Sequence, residues 1–580
     1  MWNKNPLEQT QRRITILFWI FLALLIVLSL RLWQLSVLER ERYQLRSEQN
    51  RIRISPLSAP RGFIFDRNRQ VLAEDLPNFT AVFVPGTVNL EEAISGLEQI
   101  LGRTISTSPR ERSSGEMVLV DNLTIEEVIR IEQAGEKLPG ILIETFFARH
   151  YPLSEVTSHV VGYVGRVSAE ELSQGKSADY SPDDFIGKNG VELFYEDILK
   201  GKKGYRRMEV NALGKVVSVL ENVPPRFENS LVLTLDSEFQ QFCYQLLEGK
   251  KGVILVGDPW TGEILVMVNR PAFDPNALSR GVTQEEWKEI SLDPGFPLTN
   301  RAIQSLYPPG SLFKLLIAFS ALEEGAVNEK SVFSCPGYLD YNDWRYWCWK
   351  RQGHGRVDLV SAIAQSCNVT FYNLGLAVGP DNIRNYAQQF YFGRPSGIDL
   401  PGEKNGFLPS PLWKRQNLGE FWFPGDTINL AIGQGYLLVT PFECWQMISL
   451  IATQGIKAKP HLLLKVLDAK GEEIWSFTPQ IEDKIEAQPQ TWNLIHQGMR
   501  QVVEQGTGYA CRGLPVNGKT GTAQNPQGED HSWFGGFFPR EEPELAFLVL
   551  VEHGGDGSGE AAQLSRKIVE WWIKNRGGSE

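Results

Sequence analysis

Residues 307–325 read YPPGSLFKLLIAFSALEEG, a turn rich in proline and glycine that runs into an apolar segment. This pattern predicts a helix that opens at Ser311, because proline and glycine interrupt regular structure before it. Ser311 and Lys314 stand three residues apart, so they lie on one face of that helix. A serine hydroxyl needs a neighbouring base to become a nucleophile, and a desolvated lysine near another cation can supply one. The alternative is a helix-capping serine followed by a lysine that reaches solvent.

Two more short motifs follow along the chain. The first is Ser366-Cys367-Asn368, and the second is Lys519-Thr520-Gly521-Thr522, which lies among strand-forming residues. S-x-x-K, S-x-N and K-T-G in this order form the signature of penicillin-binding proteins and β-lactamases. Each fragment is weak by itself, whereas the ordered set of three is specific. The sequence therefore predicts a serine acyl-transferase.

Length and composition limit the remaining possibilities. With 580 residues the chain is too long for one compact domain, and two or three domains are expected. The net charge of −11 argues against nucleic acid as a partner, because phosphate binding favours a basic surface. Six cysteines are too few for a disulfide scaffold.

An apolar segment near the start predicts a membrane anchor. Residues 14–30 carry no charge, and apolar neighbours extend the segment to residue 35, which gives the ~20 residues needed to cross a bilayer. A cleaved signal peptide is the alternative. No small-residue cleavage site follows, so an uncleaved anchor over 14–35 behind a tail at 1–13 is favoured. Basic residues flank both ends of the segment, and their pattern therefore does not decide its orientation.

The rest of the chain is predicted to form two domains of the α+β class. Residues 36–54 suggest an amphipathic helix that leads into a non-catalytic pedestal domain of mixed strands and helices over 36–225. Pro224 and Pro225 mark a boundary. The domain over 226–580 begins with a strand, a helix and a hairpin and returns to strands at its end. That pattern predicts an antiparallel sheet flanked by helices.

The chain resembles the class B penicillin-binding proteins over nearly its whole length. Three pedestal segments are similar to motifs of that class, namely PRGFIFDRN at 60–68, RHYP at 149–152 and GVELFYE at 190–196. A short tail, one anchor, a pedestal and a C-terminal transpeptidase match the class layout, and nothing resembles the glycosyltransferase domain of class A. PGDTINLAIGQG at 424–435 and Gly353-His354-Gly355 are similar to the elongation-type branch, and the septal branch is the alternative.

The resemblance implies a peptidoglycan D,D-transpeptidase, a serine-type D-Ala-D-Ala enzyme that needs no cofactor for catalysis. Lys314 would take the proton of Ser311, which would attack the penultimate D-alanine of a stem peptide, and β-lactams would stall at the acyl-enzyme. Backbone N–H groups of Ser311 and Thr522 would form the oxyanion hole. The other catalytic groups that the resemblance implies are Ser366, Asn368 and Lys519, and the substrate-binding groups are Thr520, Gly521, Thr522 and Asp426.

The resemblance also implies where the protein works and with which partners. Wall precursor lies outside the cytoplasmic membrane, so we expect the N-terminus in the cytoplasm and the catalytic domain on the periplasmic, outer side. Besides stem peptides and β-lactams, the implied partners are a membrane-embedded SEDS-family glycosyltransferase and an elongation scaffold such as MreC. A β-lactam sensor is a rival function, but a sensor needs a cytosolic output domain, and 13 residues precede the apolar segment. A β-lactamase of the same fold is a second rival, for which no water-activating glutamate motif is recognisable.

A cluster of cysteines needs its own explanation. Cys335, Cys348 and Cys367 lie near His354 in the sequence, and thiolates with an imidazole suit tetrahedral zinc. Some elongation-type members resemble this arrangement, with a zinc site that has aspartates at the two upstream positions. The resemblance therefore implies a structural zinc ion on the four residues, with Asp343 as an alternative to Cys348. A Cys335–Cys348 disulfide or simple buried thiols are the other interpretations.

Overall fold

The computed structural model describes residues 6–40, 52–84, 89–105, 110–111, 116–135, 138, 140–173, 180–182, 184–210, 216–525 and 528–576. The chain forms two compact units. Unit 1 comprises residues 1–59, 77–147 and 202–226, and unit 2 comprises residues 60–76, 148–201 and 227–580. Each unit therefore draws on segments that are distant in sequence. The predicted domain boundary after residue 225 stays a prediction.

Helices occur throughout the described chain. Their bounds are α1 (Pro6–Trp33, continued by a π-helical turn at Gln34–Leu38), α2 (Leu90–Leu101), α3 (Ile125–Ala134), α4 (Ser158–Val161), α5 (Ala169–Ser173), α6 (Gly190–Phe194), α7 (Glu196–Leu199), α8 (Ser237–Leu246), α9 (Pro275–Arg280), α10 (Gln284–Ser291), α11 (Arg301–Gln304), α12 (Lys314–Glu323), α13 (Leu359–Ala364), α14 (Asn368–Val378), α15 (Pro380–Gln389), α16 (Pro411–Leu418), α17 (Pro424–Leu430), α18 (Pro441–Ala452), α19 (Pro489–Glu504) and α20 (Glu560–Asn575). Short 3₁₀ turns lie at Ser154–Val156, Gly310–Leu312 and Tyr509–Cys511.

Strands form several sheets. Their bounds are β1 (Ile52–Leu57), β2 (Ile64–Phe65), β3 (Val71–Phe83), β4 (Arg110–Glu111), β5 (Met117–Leu123), β6 (Ile141–His150), β7 (Val164–Arg166), β8 (Phe185–Gly187), β9 (Gly204–Val210), β10 (Val216–Val223), β11 (Asn229–Leu233), β12 (Gly252–Gly257), β13 (Ile264–Arg270), β14 (Val332–Cys335), β15 (Tyr338–Tyr341), β16 (Trp344–Trp347), β17 (Gly355–Asp358), β18 (Ile456–Ala458), β19 (Leu463–Asp468), β20 (Glu473–Ser476), β21 (Ile481–Lys484), β22 (Asn517–Ala523), β23 (His531–Phe538) and β24 (Leu545–Val551).

The predicted anchor is helix α1. Its apolar side chains are exposed, and Thr10–Leu38 is, in the part of the chain that the structure describes, the one helix long and apolar enough to cross a membrane. The helix predicted over 36–54 is wrong at its end, where β1 pairs with β9 instead. Pairing with a distant strand overrides the local helical pattern there. Residues 41–51 of that prediction lie outside the described residues.

Unit 1 contains antiparallel strand pairs. β9 lies between β1 and β10 in a three-stranded sheet. β5 pairs with the second part of β3 and with β4. Helices α2 and α3 contribute Leu97 and Ile131 to a core with Ala81 and Leu119 from these strands. The amphipathic pattern of the two helices is thus explained by this core.

The central sheet of unit 2 has the order β13-β12-β24-β23-β22, and every neighbouring pair is antiparallel. Side chains alternate along β24, so Leu548 and Leu550 enter one core while Phe547 and Val549 enter another. Helix α18 packs in the first core, and α8 and α20 pack in the second. The prediction of an α+β fold with an antiparallel sheet flanked by helices is therefore confirmed.

Two buried arginines join the separate segments of unit 2. Arg61 donates to the carboxylates of Glu192 (2.8 Å) and Glu196 (2.9 Å). Arg149 donates to Glu192 (2.6 Å) and Asp75 (3.0 Å). Loss of one partner from such a pair typically costs ~3–5 kcal/mol, because it leaves a buried charge unpaired. The network therefore fixes residues 60–76 against residues 148–201.

Candidate active site

Ser311 lies in the 3₁₀ turn Gly310–Leu312, which runs directly into α12. The predicted helix begins at Lys314 and not at Ser311, because the preceding residues form this tighter turn. Gly310 has a φ of +54°, and a Cβ atom there would lie 2.3 Å from the carbonyl oxygen of Thr522. Only glycine fits so close an approach, and its fit seats the serine turn on β22.

Lys314 is fully buried at the start of α12. Its Nζ donates to the carbonyl oxygen of Ser366 (2.9 Å), to the hydroxyl of Ser366 (3.2 Å) and to Oδ1 of Asn368 (2.6 Å). Burial lowers the pKa of Lys314 to about 8, and negative charge on the sulfurs of Cys367 and Cys348 opposes that shift. A lysine with such a pKa is neutral often enough near physiological pH to accept a proton.

Ser366 occupies the break between α13 and α14 with a left-handed backbone, at a φ of +52°. Such a conformation costs ~1–3 kcal/mol in a residue other than glycine, and strain of this kind often marks functional sites. The turn places the Ser366 hydroxyl 3.2 Å from Nζ of Lys314 and 3.0 Å from Nζ of Lys519. The three sequence motifs therefore meet at one oxygen atom.

Lys519 is fully buried in β22 and donates a second hydrogen bond to the Thr520 carbonyl (2.8 Å). Burial, and then the charge of Lys314, lower the pKa of Lys519 well below its usual value. Two ammonium groups that share one hydroxyl repel each other, so this pair gives up a proton readily. The hydroxyl of Thr522 accepts a hydrogen bond from the Gly557 N–H (3.1 Å), which fixes it at the edge of the site.

Asp426 has local partners instead. Its carboxylate accepts a hydrogen bond from the Phe423 N–H (2.8 Å), which caps α17, and forms an ion pair with Lys414 (2.8 Å). Within the described residues, the hydrogen bonds of the Asp426 side chain go to Lys414 and Phe423, and none goes to the three sequence motifs. Asp426 therefore shapes the start of α17, and its predicted contact with substrate stays a prediction.

Sequence patterns miss two contacts that position the site. The Thr507 hydroxyl lies 2.5 Å from the hydroxyl of Thr520. The Tyr307 hydroxyl donates to Glu552 (2.6 Å), and Glu552 also accepts from Nε of Arg301 (2.9 Å). The only sequence signal for Tyr307 is its place in the same stretch as Ser311. Nothing local in the sequence points to Glu552 or Thr507.

The cysteine cluster assembles as a compact donor set. One donor atom from each of four residues lies within 4.8 Å of the others, namely those of Cys335, Cys348, His354 and Cys367. Nδ1 of His354 is 3.5 Å from the sulfur of Cys335 and 3.5 Å from that of Cys348. Zinc–sulfur and zinc–nitrogen bonds of about 2.3 and 2.0 Å place two tetrahedral donors ~3.6 Å apart. The donor chemistry and spacing therefore fit zinc.

The positions of the residues bear on two alternatives for this cluster. All six cysteines are free in the structure, so the Cys335–Cys348 disulfide is not formed. Asp343 is exposed in the turn between β15 and β16 and does not belong to the donor set. Cys348, which follows β16 directly and is buried, does belong to it. Cys367 occupies the N-cap position of α14 between Ser366 and Asn368, so the cluster is continuous with the S-x-N turn.

Comparison with known families matches two domain models to the chain. The penicillin binding protein transpeptidase domain covers residues 252–570, and the Penicillin-binding Protein dimerisation domain covers residues 56–233. Both matches agree with the positions of the motifs in the sequence.

Individual relatives are similar over almost the whole chain. The peptidoglycan D,D-transpeptidase MrdA of Acinetobacter baumannii is 34% identical over 95% of this chain and 86% of its own length. MrdA of Escherichia coli K12 is 31% identical over 96% of this chain and 93% of its own. The solved complex between penicillin-binding protein PBP2 and MreC from Helicobacter pylori aligns with a TM-score of 0.79 at 31% identity, over 90% of this chain and 99% of that one. A structure described as structural coordination of polymerization and crosslinking by a peptidoglycan synthase complex aligns with a TM-score of 0.73 at 32% identity, over 98% of this chain and 99% of that one.

Proposed function

This chain belongs to the penicillin-binding proteins that combine a dimerisation domain with a transpeptidase domain, and we propose that Ser311 is its nucleophile. The protein is a peptidoglycan D,D-transpeptidase of the elongation type, like its MrdA relatives, and it acts through a serine acyl-enzyme. One observation carries the assignment of the residues. The Ser366 hydroxyl lies within hydrogen-bonding distance of both Lys314 and Lys519, and the turn that bears Ser311 packs on Thr522.

Acylation begins when neutral Lys314 takes the hydroxyl proton of Ser311. The Ser311 oxygen then bonds to the carbonyl carbon of the penultimate D-alanine, and the negative charge on the carbonyl oxygen is stabilised by the N–H groups of Ser311 and Thr522. Loss of such a donor typically costs ~3 kcal/mol of transition-state stabilisation. The proton returns from Lys314 through the Ser366 hydroxyl to the leaving nitrogen. The terminal D-alanine departs as its C–N bond breaks.

The acyl-enzyme is resolved by an amine from a neighbouring stem peptide. The amine forms the new amide bond, the ester bond to Ser311 breaks, and the proton of the amine returns to Ser311 along the same groups. Lys519 attracts the terminal carboxylate of the substrate, and the hydroxyls of Thr520 and Thr522 orient it. Asn368, which accepts a hydrogen bond from Lys314, keeps that lysine in place between the two steps.

Labelling with a fluorescent penicillin tests these roles. We expect covalent labelling of the full-length protein, with loss of labelling in Ser311→Ala. Ser291→Ala, an exposed serine at the end of α10, is the matched control and should label normally. Labelling of Ser311→Ala would show that another residue is the nucleophile, and a wild-type protein that never labels would contradict the enzymatic function itself.

We propose further that the cysteine cluster holds one structural zinc ion. Four protein donors leave no coordination position for water, so the ion would brace the loop between β14 and α14 and take no part in the reaction. Metal analysis of protein purified without added zinc should find about one zinc per chain. Cys335→Ser should lose it, whereas Cys243→Ser, a buried cysteine of α8, should keep it. A protein without metal whose Cys335 and Cys348 are joined as a disulfide would contradict the proposal.

We propose the following organisation along the chain: a cytosolic tail at 1–13, an anchor at 14–35, a pedestal domain at 36–225 and the transpeptidase domain at 226–580. The dimerisation and transpeptidase matches support the last two. One apolar N-terminal helix supports single-pass anchoring. Since the substrate lies outside the cytoplasmic membrane, the catalytic domain should face outward. Protease treatment of intact spheroplasts should then remove the catalytic domain, and full protection would contradict this orientation.

The relatives suggest partners for this chain as well. Solved structures of similar proteins show PBP2 with MreC and a peptidoglycan synthase complex. We therefore propose that this chain assembles with a SEDS-family glycosyltransferase and an MreC-like scaffold. Co-purification from membranes with the anchor intact should recover both, and recovery of neither after mild solubilisation would contradict the assembly.

A further inference from the structure

The hairpin β15–β16 turns one face away from the protein. Cross-strand pairing puts Tyr338 opposite Trp347 and Asp340 opposite Arg345, so these four side chains share a face. The other face includes Leu339, Tyr341 and Tyr346, which pack against the core of unit 2. The first face therefore contacts solvent.

Cations and rings are stacked on the outer face. The guanidinium carbon of Arg345 lies 3.9 Å from the ring centre of Tyr338 and 5.5 Å from that of Trp347. The guanidinium of Arg351 lies 4.3 Å from the same Trp347 ring. We name these four residues the hairpin stack. Trp347 nevertheless leaves 43% of its surface exposed, and Trp349 beside it leaves 57%.

The charge of this segment is opposite to that of the whole protein. Residues 344–357 contain four cations and no carboxylate, namely Arg345, Lys350, Arg351 and Arg356, in a chain whose net charge is −11. Asp340 forms an ion pair with Arg345 at 2.6 Å and offsets part of that charge. Lys350, Arg351 and Arg356 are exposed. A local basic surface attracts anionic ligands even on an acidic protein.

The hairpin is continuous with the active site. Nε1 of Trp349 donates to the carbonyl oxygen of Gln365 (3.1 Å), the residue that precedes Ser366. The Tyr372 hydroxyl of α14 donates to the carbonyl of Trp347 (3.0 Å). The hairpin also rests on α17, since a side chain at Gly425 would meet the Tyr346 hydroxyl at 2.5 Å. A ligand held on the hairpin stack would therefore lie beside the S-x-N turn.

We propose that the hairpin stack and Trp349 bind the glycan strand that carries the stem peptides. The apolar C–H faces of sugar rings pack on exposed aromatic surface, which Trp349 offers together with the part of Trp347 that the arginines leave open. Carboxylates of the stem peptides pair with exposed Lys350 and Arg351, and the arginine fork suits a carboxylate especially well. The inference rests on the proposed function, because it assigns a second contact for the polymer that presents the substrate. Holding the strand beside the site raises the local concentration of stem peptides at Ser311.

Binding of un-cross-linked glycan strands to the full-length protein in detergent tests the proposal. Trp347→Ala and Arg351→Gln should each weaken strand binding about fivefold or more, while acylation by a soluble penicillin stays within about twofold. Trp475→Ala is the matched control, because that tryptophan of β20 is 45% exposed and lies on another sheet. Its strand binding should equal that of the wild type.

The outcomes separate this inference from the proposed function. Failure of wild-type protein to react with penicillin would count against the enzymatic assignment and leave strand binding to be judged from the binding assay alone. Strand binding that is equal in all variants would overturn the inference, as would equal losses in Trp475→Ala. A variant that loses strand binding and penicillin acylation together would show that the stack only stabilises the hairpin. Arg351→Gln removes a charge without deleting a ring near Cys348, so a loss of binding in this variant does not come from misfolding there. Binding of strands stripped of their stem peptides should depend on Trp347 but not on Arg351.

Discussion

Replacement of Gly310 by alanine tests the contact that seats the serine turn on β22. A Cβ atom at this position would lie 2.3 Å from the Thr522 carbonyl oxygen, whereas ordinary contacts begin at 3.4 Å. The turn and the strand must therefore separate by ~1 Å, a displacement that can cost ~100-fold in rate when it misplaces reacting groups. The N–H groups of Ser311 and Thr522 lie on the two segments that separate, so both proposed oxyanion donors are disturbed.

The backbone contributes a second penalty that must be separated from the clash. Gly310 has a φ of +54°, where alanine costs ~1–2 kcal/mol. Gly325, at the end of α12, has a φ of +67° and nothing within 4 Å of its own Cβ position. Gly325→Ala therefore carries the backbone penalty without the clash, and it is the matched control.

The assay is the second-order rate of acylation by a chromogenic cephalosporin, measured with the melting temperature of each variant. We expect Gly310→Ala to acylate ~100-fold more slowly than the wild type, and Gly325→Ala to stay within about threefold. Both variants should melt at somewhat lower temperatures. If Gly310→Ala acylated as fast as Gly325→Ala, the close contact with Thr522 would have no part in placing the nucleophile.

Three further predictions concern the groups around Ser311. Neutral Lys314 is the proposed base and its pKa is about 8, so acylation should rise from about pH 6 and level off above about pH 9. A flat profile would exclude Lys314 as the base. Tyr307→Phe removes the 2.6 Å hydrogen bond to Glu552. Loss of a hydrogen bond to a charged group costs ~1.5–3 kcal/mol. The melting temperature should therefore fall, and acylation should slow by about tenfold. Unchanged values for both would show that this bond does not position the serine turn. Thr507→Val removes the hydroxyl that lies 2.5 Å from the Thr520 hydroxyl. We expect a higher KM for D-Ala-D-Ala peptides with little change in kcat. A change in kcat alone would contradict a role of Thr520 in binding the substrate carboxylate.

The comparison of sequence with structure is most instructive at the cysteine cluster. The resemblance to elongation-type members implied zinc, but two candidates, Cys348 and Asp343, stood five residues apart for one position. In the structure the turn of hairpin β15–β16 exposes Asp343, while Cys348, directly after the return strand, is buried within the donor set. Which residues of the hairpin reach the core depends on the packing of Leu339, Tyr341 and Tyr346 against the rest of unit 2, and the local pattern does not record that partner.

The sequence by itself determined the family, the nucleophile as a candidate, the apolar N-terminal helix and the α+β class, since all of these depend on short motifs or on local periodicity. Only the tertiary structure decided that one hydroxyl, that of Ser366, stands between Lys314 and Lys519, and that Asp426 is engaged by Lys414. It also decided that Ile52–Leu57 is a strand and that residues 60–76 pack with residues 148–201. These features arise from contacts between segments far apart in the chain. Such contacts form because the fold buries apolar surface and pairs strands globally, and a local pattern carries no record of its distant partner.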